Sequence, residues 1–508
     1  MENELKKRKI SLEKIVYNSY SILFIIIVSV CIFGSGIYYS RKREVAFPEI
    51  VLLIMGLFFM ITLAMLIKHI KISNNQQKGE VIIWGISISL MFFQIYCVWN
   101  YYFLTDWDVA IIFKASEIAA KGSGLEEFQY YFSRYPNNLL LVYIYGVLIR
   151  FFQYININYR MGILACQCVL SWGTGIILYF TVKDVLKNKN IAWFAWIVYL
   201  LLIGMSPWVS IPYSDSIGLI IPICIVQLYS QTQKRTGMKK TVIWMIIGFL
   251  TIIGYKIKPQ IAIVSIAICI LVCFNTWRDW KKLINIIISV VVGLVISIFI
   301  STLCINSLGV KINSDETYGL THFLMMGMNY SEGATGNGVY NSEDVEISAS
   351  YHTARERKEG NLRIAEDRIK EMGLSGMTHL MHRKILTNYN DGSFCWGGEG
   401  TFYIKLLSNK TTVFAQFLRN IYYNGKYYSV FYNFELMLWL TILVLGIIAT
   451  IRSEKDPLLA IVMLSLIGLT VFELLFEARA RYLYTYAPLY ILLASVGTQK
   501  ICERIDNK

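Results

Sequence analysis

Charged side chains are scarce in this chain. Asp, Glu, Lys and Arg make up 16% of its 508 residues, against roughly a quarter in soluble domains. That scarcity argues against a string of water-soluble domains. A disulfide framework is also absent. Ten cysteines are present, but all except Cys395 lie in or beside apolar stretches, so no scaffold of paired thiols is expected. No small-residue cleavage site follows the basic start MENELKKRKISLEK, and a cleavable signal peptide is not expected. No internal repeat marks duplicated transporter halves. The glycine-rich run EGATGNGVYNSED (332–344) lacks the Gly-Lys-Ser/Thr ending of a phosphate-binding loop. It reads better as an acceptor-facing loop, with His322, Asn329, Glu332 and Asp344 as candidates around it.

What is present is apolar surface. The chain is 56% hydrophobic with a mean hydropathy of +0.50, and apolar runs of membrane-crossing length recur almost throughout. This predicts an all-α polytopic membrane protein. The net charge of +14 does not point to nucleic acid, because Lys and Arg concentrate in short connectors, the pattern of positive-inside anchoring. The connectors 182–190, 231–240, 275–282 and 452–456 and the end ICERIDNK are expected to be cytoplasmic. Strict alternation then places 208–215, 255–260, about 309–432 and 476–482 outside.

Candidate spans begin with 15–39, 48–68 and 81–104, which puts Asp106 and Asp108 at the outer lip of the third. If both 136–152 and 159–182 crossed, every later connector would fall on the wrong side. The segment 136–152 is therefore expected to stay at the outer face, leaving about twelve crossings. The organisation is two N-terminal transmembrane helices (1–80), a transmembrane core (81–308) with a first outer loop (105–158), an outer insertion (309–432), and C-terminal transmembrane helices (433–508). In the first outer loop, Val109, Ile112, Phe113, Ser116 and Ala120 share one helical face opposite Lys114, Glu117 and Lys121, as in a helix lying in the interface. Thr105 and Asp108 resemble the opening of a capping box. The outer insertion carries 13 basic and 13 acidic side chains and contains a helical pattern over about 350–372.

Short polar motifs converge on the outer side: Asp106–Trp107–Asp108, Arg134–Tyr135–Pro136–Asn137–Asn138, Tyr213–Ser214–Asp215, and the basic pairs Lys256/Lys258 and Arg479/Arg481. A carboxylate there can take a proton from a hydroxyl, worth about 10²–10⁴ in rate. Cations at the same level can hold and stabilise a departing phosphate. Each has a plainer reading. Asp108 suits a helix start, Asp215 a solvated loop, and the basic pairs can snorkel or pair with Glu473 and Glu477. Trp107 and Trp396 could stack on a sugar or sit in an aromatic belt. His379 and His382 lack a third ligand nearby, so zinc is not expected.

In this order and layout the chain resembles the GT-C superfamily of integral membrane glycosyltransferases, among them protein O-mannosyltransferases and aminoarabinose transferases. There an acidic motif after an early span opens a first outer loop, and a second acid lies in the next one, here Asp215 in PYSDS. The resemblance covers about 81–500. The two helices before 81 and the outer stretch that interrupts the chain depart from the family core. The resemblance implies transfer of a monosaccharide from a polyprenyl-phosphate donor to an extracytoplasmic glycan, glycolipid or protein. Asp106 would be the base, with Asp108 and Asp215 as further catalytic acids. Asp215 would orient the acceptor, assist a metal or hold Asp106. Lys256, Lys258, Arg479 and Arg481 would bind the donor phosphate, and Trp107, Arg134, Tyr135, Asn138, His322 and Glu332 would line the sugar or acceptor side. No cofactor is required, although a divalent cation is compatible. The expected location is a bacterial plasma membrane. The alternatives are a lipid-linked saccharide flippase or other transporter, a polysaccharide polymerase or ligase, and a non-catalytic scaffold.

Overall fold

The computed structural model describes residues 12–34, 46–69, 76–101, 107–331, 337–396, 412–423, 425–451 and 455–507. Asp106 and Glu332 lie outside these ranges, as does Thr105. Among the described residues the regular structure is helical, with no strand. Lipid offers peptide groups no water, and a helix satisfies them within one segment. Among the described residues, nine helices are long and apolar enough to cross a membrane: Leu12–Phe33, Glu49–His69, Val81–Tyr101, Tyr159–Leu186, Gly237–Ile257, Pro259–Thr276, Trp280–Asn306, Tyr428–Ile448 and Pro457–Leu475.

Three further expected crossings differ from these nine. Lys189–Gly204 is apolar but shorter. The following segment is divided at Leu219 into Ser214–Gly218 and Ile220–Thr232, because Pro222 has no N–H to give the Gly218 carbonyl. Ala487–Asp506 is long enough, but its last turns are polar. Leu139–Tyr154, within the segment expected to stay outside, has 16 residues. That is about 24 Å of helix, short of a hydrocarbon core of about 30 Å.

Small residues set the closest helix contact. Ser289, Gly293, Ser297 and Ser301 form the buried stripe of Trp280–Asn306, while Ile287, Ile288, Val295 and Phe299 on the same helix are exposed. A Cβ at Gly293 would run into the Met245 carbonyl, and one at Gly248 into the Val290 carbonyl. The two backbones therefore touch directly, as in small-residue packing of transmembrane helices. Deeper in the bundle, Ala487–Asp506 is buried from Ala487 to Thr498. Its Gly497 abuts the Leu445 backbone of Tyr428–Ile448.

The polar stretch after 308 docks on this bundle. Its helices include Leu320–Gly327, Ser342–Ser350 and Ala354–Tyr389. The expected helix over 350–372 begins at Ala354 behind a complete Thr353/Glu356 capping box. It continues through a kink at Gly373, where φ is 57°, a left-handed value that suits glycine. Its end enters the bundle, where the Tyr389 hydroxyl lies 2.6 Å from Thr470 Oγ1 and 3.2 Å from that of Tyr490. On the other side, Tyr318 N–H donates to the Arg134 carbonyl at 3.1 Å, and Thr317 Oγ1 donates to the Ser133 carbonyl at 2.9 Å. These bonds tie the stretch to the first outer loop.

Candidate functional site

The second acidic motif is not a solvated loop. After a π turn over Leu200–Gly204, Pro207–Ser210 forms a 3-10 turn, and Gln167 Nε2 donates to the Ile211 carbonyl at 2.6 Å. Ser216 Oγ donates to the carbonyls of Trp208 and Ile211, both at 2.9 Å. This clasp aims Asp215 into the protein, where it is 1% exposed. Lys258 reaches it from the break before Pro259, a residue that disfavours helix at the position preceding it. Lys258 Nζ donates to Asp215 Oδ1, and Arg481 Nε lies 3.5 Å from Oδ2. One carboxylate thus serves two buried cations.

Aromatic faces complete the cation sites. The Arg481 guanidinium lies 4.6 Å from the Trp107 ring, 5.4 Å from Tyr213 and 5.7 Å from Trp208. Lys258 Nζ lies 4.8 Å from the Tyr482 ring. Desolvated cation–π contacts of this kind are worth about 2 kcal/mol. The Tyr482 hydroxyl donates to Glu477 Oε2 at 3.3 Å, and Arg479 lies 4.0 Å from the same carboxylate. Burial pushes the Glu477 carboxyl up, while Arg479 and Arg481 oppose that rise.

Asp108 stands on the other side of Tyr213. It opens the helix Asp108–Ala120, whose N-cap position, Trp107, makes no side-chain cap bond. The expected capping box opens at Thr105, outside the described residues, and the Asp108 carboxylate is directed at a tyrosine. Its Oδ2 accepts the Tyr213 hydroxyl at 3.3 Å, and its charge reaches the Tyr131 phenol. Asn138 Nδ2 donates to Tyr131 at 2.8 Å. Burial, and after it the charge of Asp108, pushes the phenols of Tyr131 and Tyr135 up, so both stay protonated and able to donate.

Behind this pair lies a lysine with no counterpart in the sequence motifs. Lys384, from the long helix Ala354–Tyr389, donates to the carbonyls of Gly327 at 3.0 Å and Phe476 at 2.5 Å. Burial pulls its pKa down to about 7, against the charges of Glu473 and Glu477. Glu473, buried near the end of Pro457–Leu475, lies within electrostatic reach of both Lys258 and Lys384. The centre is thus built from four carboxylates (Asp108, Asp215, Glu473, Glu477) and four cations (Lys258, Lys384, Arg479, Arg481).

Most of the expected site residues meet here, and several do not. Trp107, Asp108, Tyr135, Asn138, Asp215, Lys258, Arg479 and Arg481 belong to one neighbourhood. Lys256, on the helix before the break, shares no hydrogen bond, ion pair or ring contact with it. Arg134 stacks instead on Tyr130 at 3.8 Å and lies 5.4 Å from the Tyr318 ring. His322 is buried, stacks on Tyr318 and has its Nδ1 2.7 Å from Ser348 Oγ. Burial lowers its pKa to about 4, so it is a neutral packing residue, not a surface ligand. Asp344 is tied to Arg368 at 2.6 Å and accepts Asn329 at 3.1 Å. Trp396 is fully buried, packs on Trp208 and donates to the Tyr422 carbonyl, so no sugar reaches it. Asp215 holds Lys258 and Arg481. Among the described residues no group of three or more His, Cys, Asp or Glu side chains could hold a metal ion.

Tyr131, Trp208, Lys384, Glu473 and Tyr482 were not singled out as site members by sequence. The aromatic spacing of ARARYLYTY hinted at Tyr482. Nothing local distinguishes Lys384 from the other basic residues of its helix.

The profile of one family, described as conserved hypothetical integral membrane protein, matches residues 10–502. No curated protein and no solved structure matches the chain. Matched over nearly its whole length, and with nine membrane-length helices among its described residues, the chain belongs to this family of integral membrane proteins.

Proposed function

We propose that this protein is a membrane glycosyltransferase moving a monosaccharide from a polyprenyl-phosphate donor to a hydroxyl on an extracytoplasmic acceptor. The observation that carries the reading is the sharing of Asp215 by Lys258 and Arg481. Two cations facing one buried carboxylate form a pair of donors that a phosphate can share, and Arg479 stands beside Glu477 at the rim. In the proposed reaction the acceptor oxygen bonds to the anomeric carbon as the sugar–phosphate bond breaks. The hydroxyl proton passes to Asp106, and the freed phosphate keeps the electron pair beside Arg481 and Lys258. Fixed cations aimed at developing charge lower such a barrier. A single displacement of this kind inverts the anomeric centre. Asp108, with its tyrosine hydroxyls, would orient sugar hydroxyls, and Asp215 is a positioning residue for the cations. The GT-C-like arrangement of about twelve crossings, with this site outside, belongs to the same proposal.

A transporter of lipid-linked saccharide is the second reading. It is favoured by the helix interruption over 200–214 and by Glu435 and Glu473, buried within span-length helices. Such features recur where substrates cross membranes. The two readings separate when purified protein is given a panel of polyprenyl-phosphate sugars with and without cell-envelope acceptor. A transferase releases polyprenyl phosphate in an acceptor-dependent way. A transporter moves the intact donor across a vesicle bilayer and releases none.

A further inference from the structure

On the face opposite this site, helix ends surround a cleft of about 560 Å³. Lys187, Lys234, Lys240 and Lys282 line it, and Trp244 and Leu458 belong to its wall. Among the described residues, the acids that line it are already committed. Asp184 accepts from Gln227 and Gln231 and pairs with Lys234 at 2.7 Å. Asp456 caps Pro457–Leu475 through the N–H groups of Leu458 and Leu459. Glu13, at the rim, accepts from Asn275 at 2.7 Å. Lys187, Lys240 and Lys282 then make no ion pair among the described residues.

Two further observations point to a ligand. Lys240 and Lys282 lie within electrostatic reach of each other, and like charges facing one space repel unless an anion lies between them. The indole N–H of Trp244 is buried in the wall and finds no hydrogen-bond acceptor among the described residues, a costly state for a polar group. The level of the cleft is marked by Trp277 and Trp280, exposed on the surface at adjoining helix ends. Tryptophans favour that position at the bilayer–water boundary.

We propose that this cleft binds the phosphate headgroup of an anionic membrane lipid. Lys240 and Lys282 clamp the phosphate oxygens, Trp244 donates to an ester or phosphate oxygen, and the apolar wall takes the glycerol end. A soluble phosphate would share the cationic contacts but gain nothing from that wall.

The test uses the full chain in detergent and native mass spectrometry with added phosphatidylglycerol or phosphatidylcholine. The double variant Lys240→Ala/Lys282→Ala is set beside Lys239→Ala/Lys281→Ala, which removes two neighbouring exposed lysines that do not line the cleft. Lysines near an anionic headgroup contribute enough that the first pair should weaken phosphatidylglycerol retention about tenfold or more. The control pair should leave it unchanged, and both variants should keep the thermal midpoint of the wild type. Glycerol 3-phosphate should not displace the lipid. Equal losses in both variants, or no preference for phosphatidylglycerol in the wild type, would overturn the site. Displacement by glycerol 3-phosphate would reassign it to a soluble anion and overturn the lipid.

Discussion

Nε of Arg481 lies 3.5 Å from Oδ2 of Asp215, joining the connector after Pro457–Leu475 to the second acidic motif inside the protein. The same carboxylate takes Lys258. Removing one partner of a buried ion pair leaves uncompensated charge and costs about 3–5 kcal/mol. Asp215→Ala is therefore expected to lower thermal stability in detergent strongly. Lys256→Ala should leave the midpoint near that of the wild type. A stable Asp215→Ala protein would contradict this account of the cluster.

Arg481 should not be replaceable by lysine. Its planar guanidinium faces Trp107, Tyr213 and Trp208 while pairing with Asp215, and an ammonium cannot repeat that geometry. Arg481→Lys is expected to weaken polyprenyl-phosphate sugar binding about tenfold, the equivalent of roughly one desolvated cation–π contact. Donor titration by tryptophan fluorescence measures it.

Tyr213→Phe deletes the hydroxyl that donates to Asp108 and keeps the ring beside Trp107. A hydrogen bond to a charged group is worth about 1.5–3 kcal/mol, so acceptor-dependent turnover should fall at least about tenfold. Donor affinity should barely move. An equal loss of donor affinity would place the hydroxyl in phosphate binding instead.

His322 gives the outer stretch a pH dependence with a definite sign. Burial, aided by Arg357 and opposed by Asp344, lowers its pKa from 6.5 to about 4. The unfolded chain therefore binds the proton more readily than the folded one. Stability from this group is complete above pH 6.5 and is lost as pH falls toward 4. Thermal midpoints measured across this window should drop more steeply for wild type than for His322→Gln. Parallel slopes would show that His322 does not titrate this way.

Gly293→Leu should separate the Gly237–Ile257 and Trp280–Asn306 helices, because even a Cβ meets the Met245 backbone. Overpacking of this sort costs about 1–3 kcal/mol. Gly85→Ala is the control, since a Cβ there meets nothing within 4 Å.

The spans were legible because hydrophobic length is a one-dimensional signal. The segment 136–152, which charge parity set apart from the spans, holds a helix of only 16 residues, Leu139–Tyr154. Pairing was not legible. Asp215 reads as a loop residue until Ser216 and Gln167 are seen turning its segment inward. Asp108 reads as a helix start, because the tyrosine that claims its carboxylate, Tyr213, comes from a distant segment. Lys384 and Glu473 meet only through the docking of the outer helix against a span end. The burial of His322 was hidden for the same reason: its partner Ser348 lies on another helix.

The most direct test of the central claim compares wild type with Asp106→Asn for acceptor-dependent release of polyprenyl phosphate, with donor binding measured in parallel. The account predicts release by wild type and its loss in Asp106→Asn, while donor binding at Lys258 and Arg481 persists. Release that survives in Asp106→Asn would contradict the assignment of the base. Donor binding without any release by wild type, with transfer of intact donor across vesicles, would contradict the transferase itself.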